Sequence, residues 1–362
     1  KMILFSVPVV LSGILQLLFN ACDIIVVGNF AGDASLAAVG STSSLINLFT
    51  NLFIGLSVGS NVLIAHFVGS NDKSKVSLTV HTSIVLAIIC GVFLSVAGFI
   101  FANPILKLMG SPDDVIMLAT LYLKIYFLGM PALLIYNFGA AILRAVGNTK
   151  HPLYFLTISG VLNILLNLLL VICFSMGVAG VAIATVVSEY LSAALIIWYL
   201  SEKSEELKLT RSDLKIDPYI LKRVIAIGIP AGLQGTIFSL SNVVIQSAIN
   251  SFGSDVVAGN SATMNIEGFV YMAMNAIYQT AITFVGQNYG AGKKKRVLRC
   301  TLQAEAIVVI VGLFFGVSAY IFSTELLHIY SGSPAVVEAG KIRCAYILPI
   351  YFLCGSMDVM VG

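Results

Sequence analysis

The sequence predicts an all-α integral membrane protein built from two parallel repeats of helices. Three observations carry that prediction: an apolar composition, positive charge gathered in alternate loops, and a self-similarity at an offset of 221–222 residues. Of the 362 residues, 58% are hydrophobic and only 10% charged, with a mean hydropathy of +0.98. A soluble domain carries about 25% charged residues. A helix needs about 20 apolar residues to cross a hydrocarbon layer of ~30 Å. Such runs lie near 3–27, 36–68, 78–101, 115–143, 152–173, 178–200, 222–250, 256–288, 301–322 and 338–362, which makes about ten spans. The apolar runs lack the alternation of a membrane barrel. No cleavage site follows the first run, so it reads as a mature span. Both ends read as trimmed, with the last span incomplete.

Charge orients the spans. Lys1, Lys73, Lys75, Arg144, Lys150, Lys203, Lys208, Arg211, Lys215, Lys222, Arg223, Lys293, Lys294, Lys295, Arg296 and Arg299 precede the first span or follow even-numbered spans. The opposite loops hold essentially Lys107 alone. The positive-inside rule places the N-terminus and the basic loops in the cytoplasm of a cell (inner) membrane protein. The segment 201–221, "SEKSEELKLTRSDLKIDPYIL", is the most hydrophilic, and Asp217-Pro218 has the form of a helix cap followed by proline at the first helical position. It divides the chain into an N-lobe at 1–200 with spans one to six, an amphipathic cytoplasmic linker at 201–221, and a C-lobe at 222–362 with spans seven to ten.

The repeat aligns Pro8 with Pro230, Gly13 with Gly235, Asn20 with Asn242, Gly32 with Gly253, Gly69 with Gly290, and Ser111-Pro112 with Ser333-Pro334. Matching prolines and glycines over about 100 residues is more than hydrophobic helices share by chance. Each repeat holds an even number of spans, so both enter from the same side and are parallel repeats. That is an architecture for alternating access.

Polar residues in the apolar runs mark candidate sites, because charge in a bilayer is costly. In the first span Ser12, Gln16, Asn20 and Asp23 line one helical face. That face is a cavity wall ending in an acid, or Asp23 is a local cap. In the second span Asn47, Asn51 and Asn61 are polar but uncharged. In the eighth, Asn260, Thr263, Glu267, Tyr271, Asn275 and Tyr278 keep helical spacing. An acid among tyrosines suits a hydrophobic cation; a packed stripe with Glu267 bonded internally is the alternative. Glu189 joins this inventory either as a cavity group or in a structural pair. Lys124 and Arg343 read as span-end residues that snorkel, and His66 as structural.

Composition also removes function classes. The six cysteines form no C-x-x-C pair and the four histidines no metal-ligand spacing. "GQNYGAGKKK" misses the Walker A spacing and reads as a helix end before a basic loop. The chain is therefore expected not to be an enzyme, to need no cofactor, and to bind no nucleic acid. An ion gradient is left as the driving force.

The stretches "VPVVLSGILQLLFNACDIIVVGNFAG", "AAILRAVGNTKHPLY", "NILLNLLLV", "GVAGVAIATVVS" and "FVGQNYGAGKKKRV" together resemble the multidrug and toxic compound extrusion (MATE) family, in order and over nearly the whole chain. The resemblance implies twelve helices in two lobes, of which about ten are present here. It implies export of amphiphilic, often cationic compounds in exchange for Na⁺ or H⁺. By the same resemblance Asp23 matches the acid of an N-lobe cation site, with Asn137, Asn163, Asn167 and Thr185 at its other positions. Interhelical hydrogen bonding is the other reading of Asn163 and Asn167. Asn167 departs from members that carry a second aspartate there, which leaves a single strong acid. The seventh span, with Gln234 and Asn242, has no acid, unlike relatives that couple through one, so coupling falls to the N-lobe.

These readings lead to a monomeric antiporter for small amphiphilic organic substrates. Asp23, Asn137, Asn163, Asn167 and Thr185 couple the ion, with Asp23 the ligand if the ion is Na⁺. Gln16, Asn20, Asn47, Asn51, Glu267, Tyr271, Asn275 and Tyr278 line the substrate cavity. An exporter or flippase of a lipid-linked or other metabolite is the alternative within the same superfamily.

Overall fold

A computed structural model describes the chain except residues 109–112, 204–206, 250–251 and 331. Helices follow one another along the chain: α1 (Met2–Phe30), α2 (Asp33–Gly69), α3 (Lys73–Leu108), α4 (Asp113–Leu128), α5 (Met130–Ala145), α6 (Lys150–Asn167), α7 (Gly177–Trp198), α8 (Pro218–Ile249), α9 (Ser254–Gly290), α10 (Lys294–Ile321), α11 (Ser323–His328), α12 (Pro334–Ile347) and α13 (Phe352–Val361). Among the described residues there is no strand, as bilayer burial demands of a chain whose apolar runs satisfy their backbone internally.

Among the described residues seven helices are long and apolar enough to cross a membrane, or nine when α4 with α5 and α12 with α13 each count as one bent span. The eighth expected span, 256–288, forms α9, 37 residues long, but α9 is not one of the seven. Asn260, Asn265, Glu267, Asn275, Gln279 and Gln287 make it a helix whose polar side wants protein or water rather than lipid.

The repeat is visible in the element boundaries. Adding 221 carries α2 onto α9 end to end, α3 onto α10 with α11, and the starts of α4 and α12 onto each other. The α4–α5 break of 47° answers the α12–α13 break of 43°. Gly32 and Gly253 precede α2 and α9 with φ of 85° and 96°, a left-handed conformation in which a side chain would be strained. Of the aligned Ser-Pro pairs, Ser333-Pro334 starts α12, while Ser111-Pro112 lies outside the described residues.

Two compact units form, one from residues 1–14 with 238–362 and the other from 15–237. The changeovers fall inside α1 and α8 rather than at the linker 201–221 between 1–200 and 222–362. A long helix can offer its two ends to different neighbours, which a hydropathy profile does not register. In the 15–237 unit the linker is anchored on α3. Leu207 is buried, Thr210 N–H donates to His81 Nε2 at 3.1 Å, and Asp217 N–H donates to Thr82 Oγ1 at 3.1 Å. Asp217 caps α8 through the Ile220 N–H at 2.9 Å, with Pro218 as first helical residue.

The same packing position is built differently in the two units. In the 15–237 unit α2 and α8 meet through glycines. A Cβ on Gly55 would strike the Gly232 backbone, and one on Gly59 the backbone of Val224 and Gly228. Small residues let membrane helices approach backbone to backbone. In the other unit the start of α1 meets α9 through side chains: Ser6 and Thr280 share a 2.7 Å hydrogen bond, and Phe5 and Phe284 pack edge to face.

Candidate ion and polar sites

In the 15–237 unit four of the expected coupling residues converge. Asp23 on α1 is buried, with Asn163 and Asn167 from α6. Those two sit one turn apart and so share a face. Asn167 Nδ2 donates to Asp23 Oδ1 at 2.5 Å and to Asn163 Oδ1 at 3.2 Å. Thr185 Oγ1 on α7 lies 3.4 Å from Asp23 Oδ2 and accepts from Asn163 Nδ2 at 3.5 Å. Just past Asn167 the helix widens into a π turn over Leu168–Cys173, a distortion common at functional sites.

No ion pair to Asp23 occurs among the described residues. Its partners are neutral, and one oxygen beside it, Asn167 Oδ1, is buried without a hydrogen-bond donor. A buried carboxylate held by amide and hydroxyl groups, with amide oxygens of Asn163 and Asn167 in the same cluster, offers a hard monovalent cation or a proton an oxygen-rich pocket. Asn137, the fifth expected member, is half-buried and donates to its own helix at the Leu133 carbonyl, 2.8 Å away. It is not bonded into the cluster.

Of the expected cavity residues in this unit, Gln16, Asn20 and Asn47 are exposed and Asn51 is half-buried. The polar face of α1 thus runs from exposed amides to a buried acid, as its helical spacing requires.

The unit of residues 1–14 and 238–362 treats one of its buried acids in another way. Glu267 on α9 is buried and gripped by Arg343 of α12, Nε to Oε1 at 2.8 Å and Nη2 to Oε2 at 2.9 Å. Arg343 Nη1 also donates to Asn260 Oδ1. This corrects the reading of Arg343 as a snorkelling residue: its guanidinium turns inward, because a buried acid offers a bidentate partner that water at the span end would not better. Tyr271, Asn275 and Tyr278 are half-buried along the same helix, and Asn275 Nδ2 donates to Tyr271 Oη at 3.4 Å. Lys124, the other expected snorkeller, lies over the Phe99 ring, 5.1 Å from its centroid.

Glu189 on α7 is the polar group whose place the sequence left most open. Its Oε2 is buried without a partner, against Gly129 at the α4–α5 break. Tyr122 and Tyr126 of α4 stack nearby with centroids 5.8 Å apart. Tyrosines at this spacing are ordinary in a membrane helix, so no local signal marked them.

A multi-pass helical membrane protein with two repeated units, one holding a buried acid among neutral oxygens, is the class that fold and site define. The MatE family model matches residues 8–169 and again 230–359, and the chain belongs to that family. Its members are transporters rather than enzymes, and this chain is a membrane-embedded, multi-pass transporter of the same kind. The probable multidrug resistance protein YoeA of Bacillus subtilis is 31% identical over 99% of this chain and 79% of its own length. The FAD transporter of Shewanella oneidensis is 25% identical over 97% of this chain and 78% of its own. An outward-facing structure of a multidrug resistance MATE family transporter of the MOP superfamily superposes with a TM-score of 0.92. It shares 23% identity, covering 99% of this chain and 81% of that one.

Proposed function

We propose that the protein is a secondary active efflux antiporter of the multidrug type. It exports amphiphilic cationic compounds from the cytoplasm across the inner membrane in exchange for Na⁺ or H⁺, as a monomer with its N-terminus and basic loops inside. The observation that carries the proposal is Asp23, a buried carboxylate whose hydrogen-bond partners are neutral. Occupied by an ion, such a pocket has its charge balanced; empty, it does not. Two unit charges 4 Å apart interact by ~4 kcal/mol at an effective dielectric of 20. Differential affinity of that order moves a two-state equilibrium decisively. Asp23, Asn163, Asn167 and Thr185 hold the ion, with Asn167 Oδ1 turning from an unpartnered oxygen into a ligand. Asn137 would join by rotating off its own helix.

The test is ethidium uptake into proteoliposomes with Na⁺ and pH gradients imposed separately. Asp23→Asn keeps shape while deleting charge, and it should abolish gradient-driven uptake but leave ethidium binding in detergent intact. Near-native driven uptake by the variant would refute the coupling role.

A second reading, export of a metabolite or lipid-linked substrate, is favoured by one observation. The Arg343 guanidinium matches the Glu267 charge, so this stripe presents no uncompensated acid to a cation. A relative that carries FAD, an anionic dinucleotide, is consistent with that reading. FAD that competes with ethidium uptake would favour it over the cationic one.

A further inference from the structure

Glu189 sits where α7 braces the break between α4 and α5. The break interrupts the helical ladder, and α7 serves it with two adjacent side chains. Tyr190 Oη donates to the Leu128 carbonyl at 3.1 Å, while Glu189 Oε2 packs onto Gly129, where a methyl group would collide with it. That oxygen is buried and, among the described residues, has no hydrogen-bond partner. The groups that act on it electrostatically are acidic or neutral: Asp23 from α1, with Tyr122 and Tyr126 from α4. No ion pair reaches it among the described residues.

We propose that Glu189 is a second proton-carrying acid of the 15–237 unit, working with Asp23 and seated on the α4–α5 break. A carboxylate buried without a hydrogen-bond or ion-pair partner is disfavoured against its neutral form. The group therefore keeps a proton while the pocket stays dry, and loses it when water enters. Each cycle takes one proton onto a Glu189 oxygen from one side and returns it to water on the other. Ionisation adds charge directly against Gly129, so the break is the element that responds. This extends the coupling proposed for Asp23 and rests on it for its place in transport, but not for its chemistry.

The experiment uses the full chain purified in detergent, with infrared difference spectra recorded across an alkaline pH jump. The native protein should lose two protonated-carboxyl bands. Glu189→Gln should remove one of them and Asp23→Asn the other. A Glu189→Gln spectrum identical to the native one overturns the proposal. If instead Asp23→Asn leaves the spectrum unchanged while Glu189→Gln does not, the Asp23 reading falls and this one stands. Should Glu189→Gln fail to fold, Gly129→Ala retains both acids and displaces Glu189 most, with milder crowding of Val186 and the Tyr126 carbonyl. A shifted band then supports the assignment, and an unshifted pair rejects it. In proteoliposomes, proton-driven ethidium uptake by Glu189→Gln should fall about tenfold. A loss of thermal stability with uptake unchanged would mark the residue as structural and overturn its role.

Discussion

Each unit buries an acid beside asparagines, and the two acids meet opposite fates. Glu267 is clamped by the Arg343 guanidinium, which also takes Asn260. Among the described residues, Asp23 has an amide and a hydroxyl around it and no ion-pair partner. The first arrangement is complete within the chain, so its value lies in joining α9 to α12. The second is balanced only by something that comes and goes. What separates a strut from a site here is whether the counter-charge is covalently part of the protein.

The comparison breaks most visibly at Arg343. Arg343→Met leaves Glu267 buried and unpaired, which costs about 3–5 kcal/mol, and thermal unfolding in detergent should show a large fall in Tm. The double variant with Glu267→Gln should recover most of it, since two neutral groups leave no stranded charge. A single variant as stable as the native protein would mean the pair holds nothing together.

Next comes the contrast between the two helix seams. Gly55→Ala drives a methyl into the Gly232 backbone, and overpacking of that kind costs about 1–3 kcal/mol. In the seam between α1 and α9, Gly13→Ala meets the flexible end of Met272, which can swing aside, so the loss of Tm should be clearly smaller. Equal losses would show that the seams are not built differently after all.

The smallest effect on stability is expected at Asp23. Asp23→Asn replaces an acid held by neutral partners with a neutral amide of the same size, so stability should change by less than about 1 kcal/mol and not fall as it does in Arg343→Met. That contrast is the sharpest form of the comparison. A large destabilisation by Asp23→Asn would make its carboxylate a strut as well.

Much of this was legible in the residues. Asp23, Asn163, Asn167 and Thr185 converge as the family resemblance implied, because helical spacing already puts each on a defined face. Asn137 does not join them by hydrogen bond, since an asparagine in a helix can satisfy itself on the preceding turn. Arg343 was misread because a lone arginine in an apolar run looks like a snorkelling residue until its partner is in view.

By itself the sequence determined what depends on neighbours along the chain. The helices, most of their spans and the 221-residue repeat follow from hydropathy and from glycines and prolines whose backbone demands are local. Tertiary structure alone decided what depends on residues far apart in the chain. Arg343 reaches Glu267 across 76 residues and Asn167 reaches Asp23 across 144. It likewise set Glu189 on Gly129 and let α1 and α8 each serve two units. The reason is one of range: hydropathy and backbone preference act within a turn or two. The pairing of a buried charge depends on which helix packs against it, and that is settled only when the whole bundle has formed.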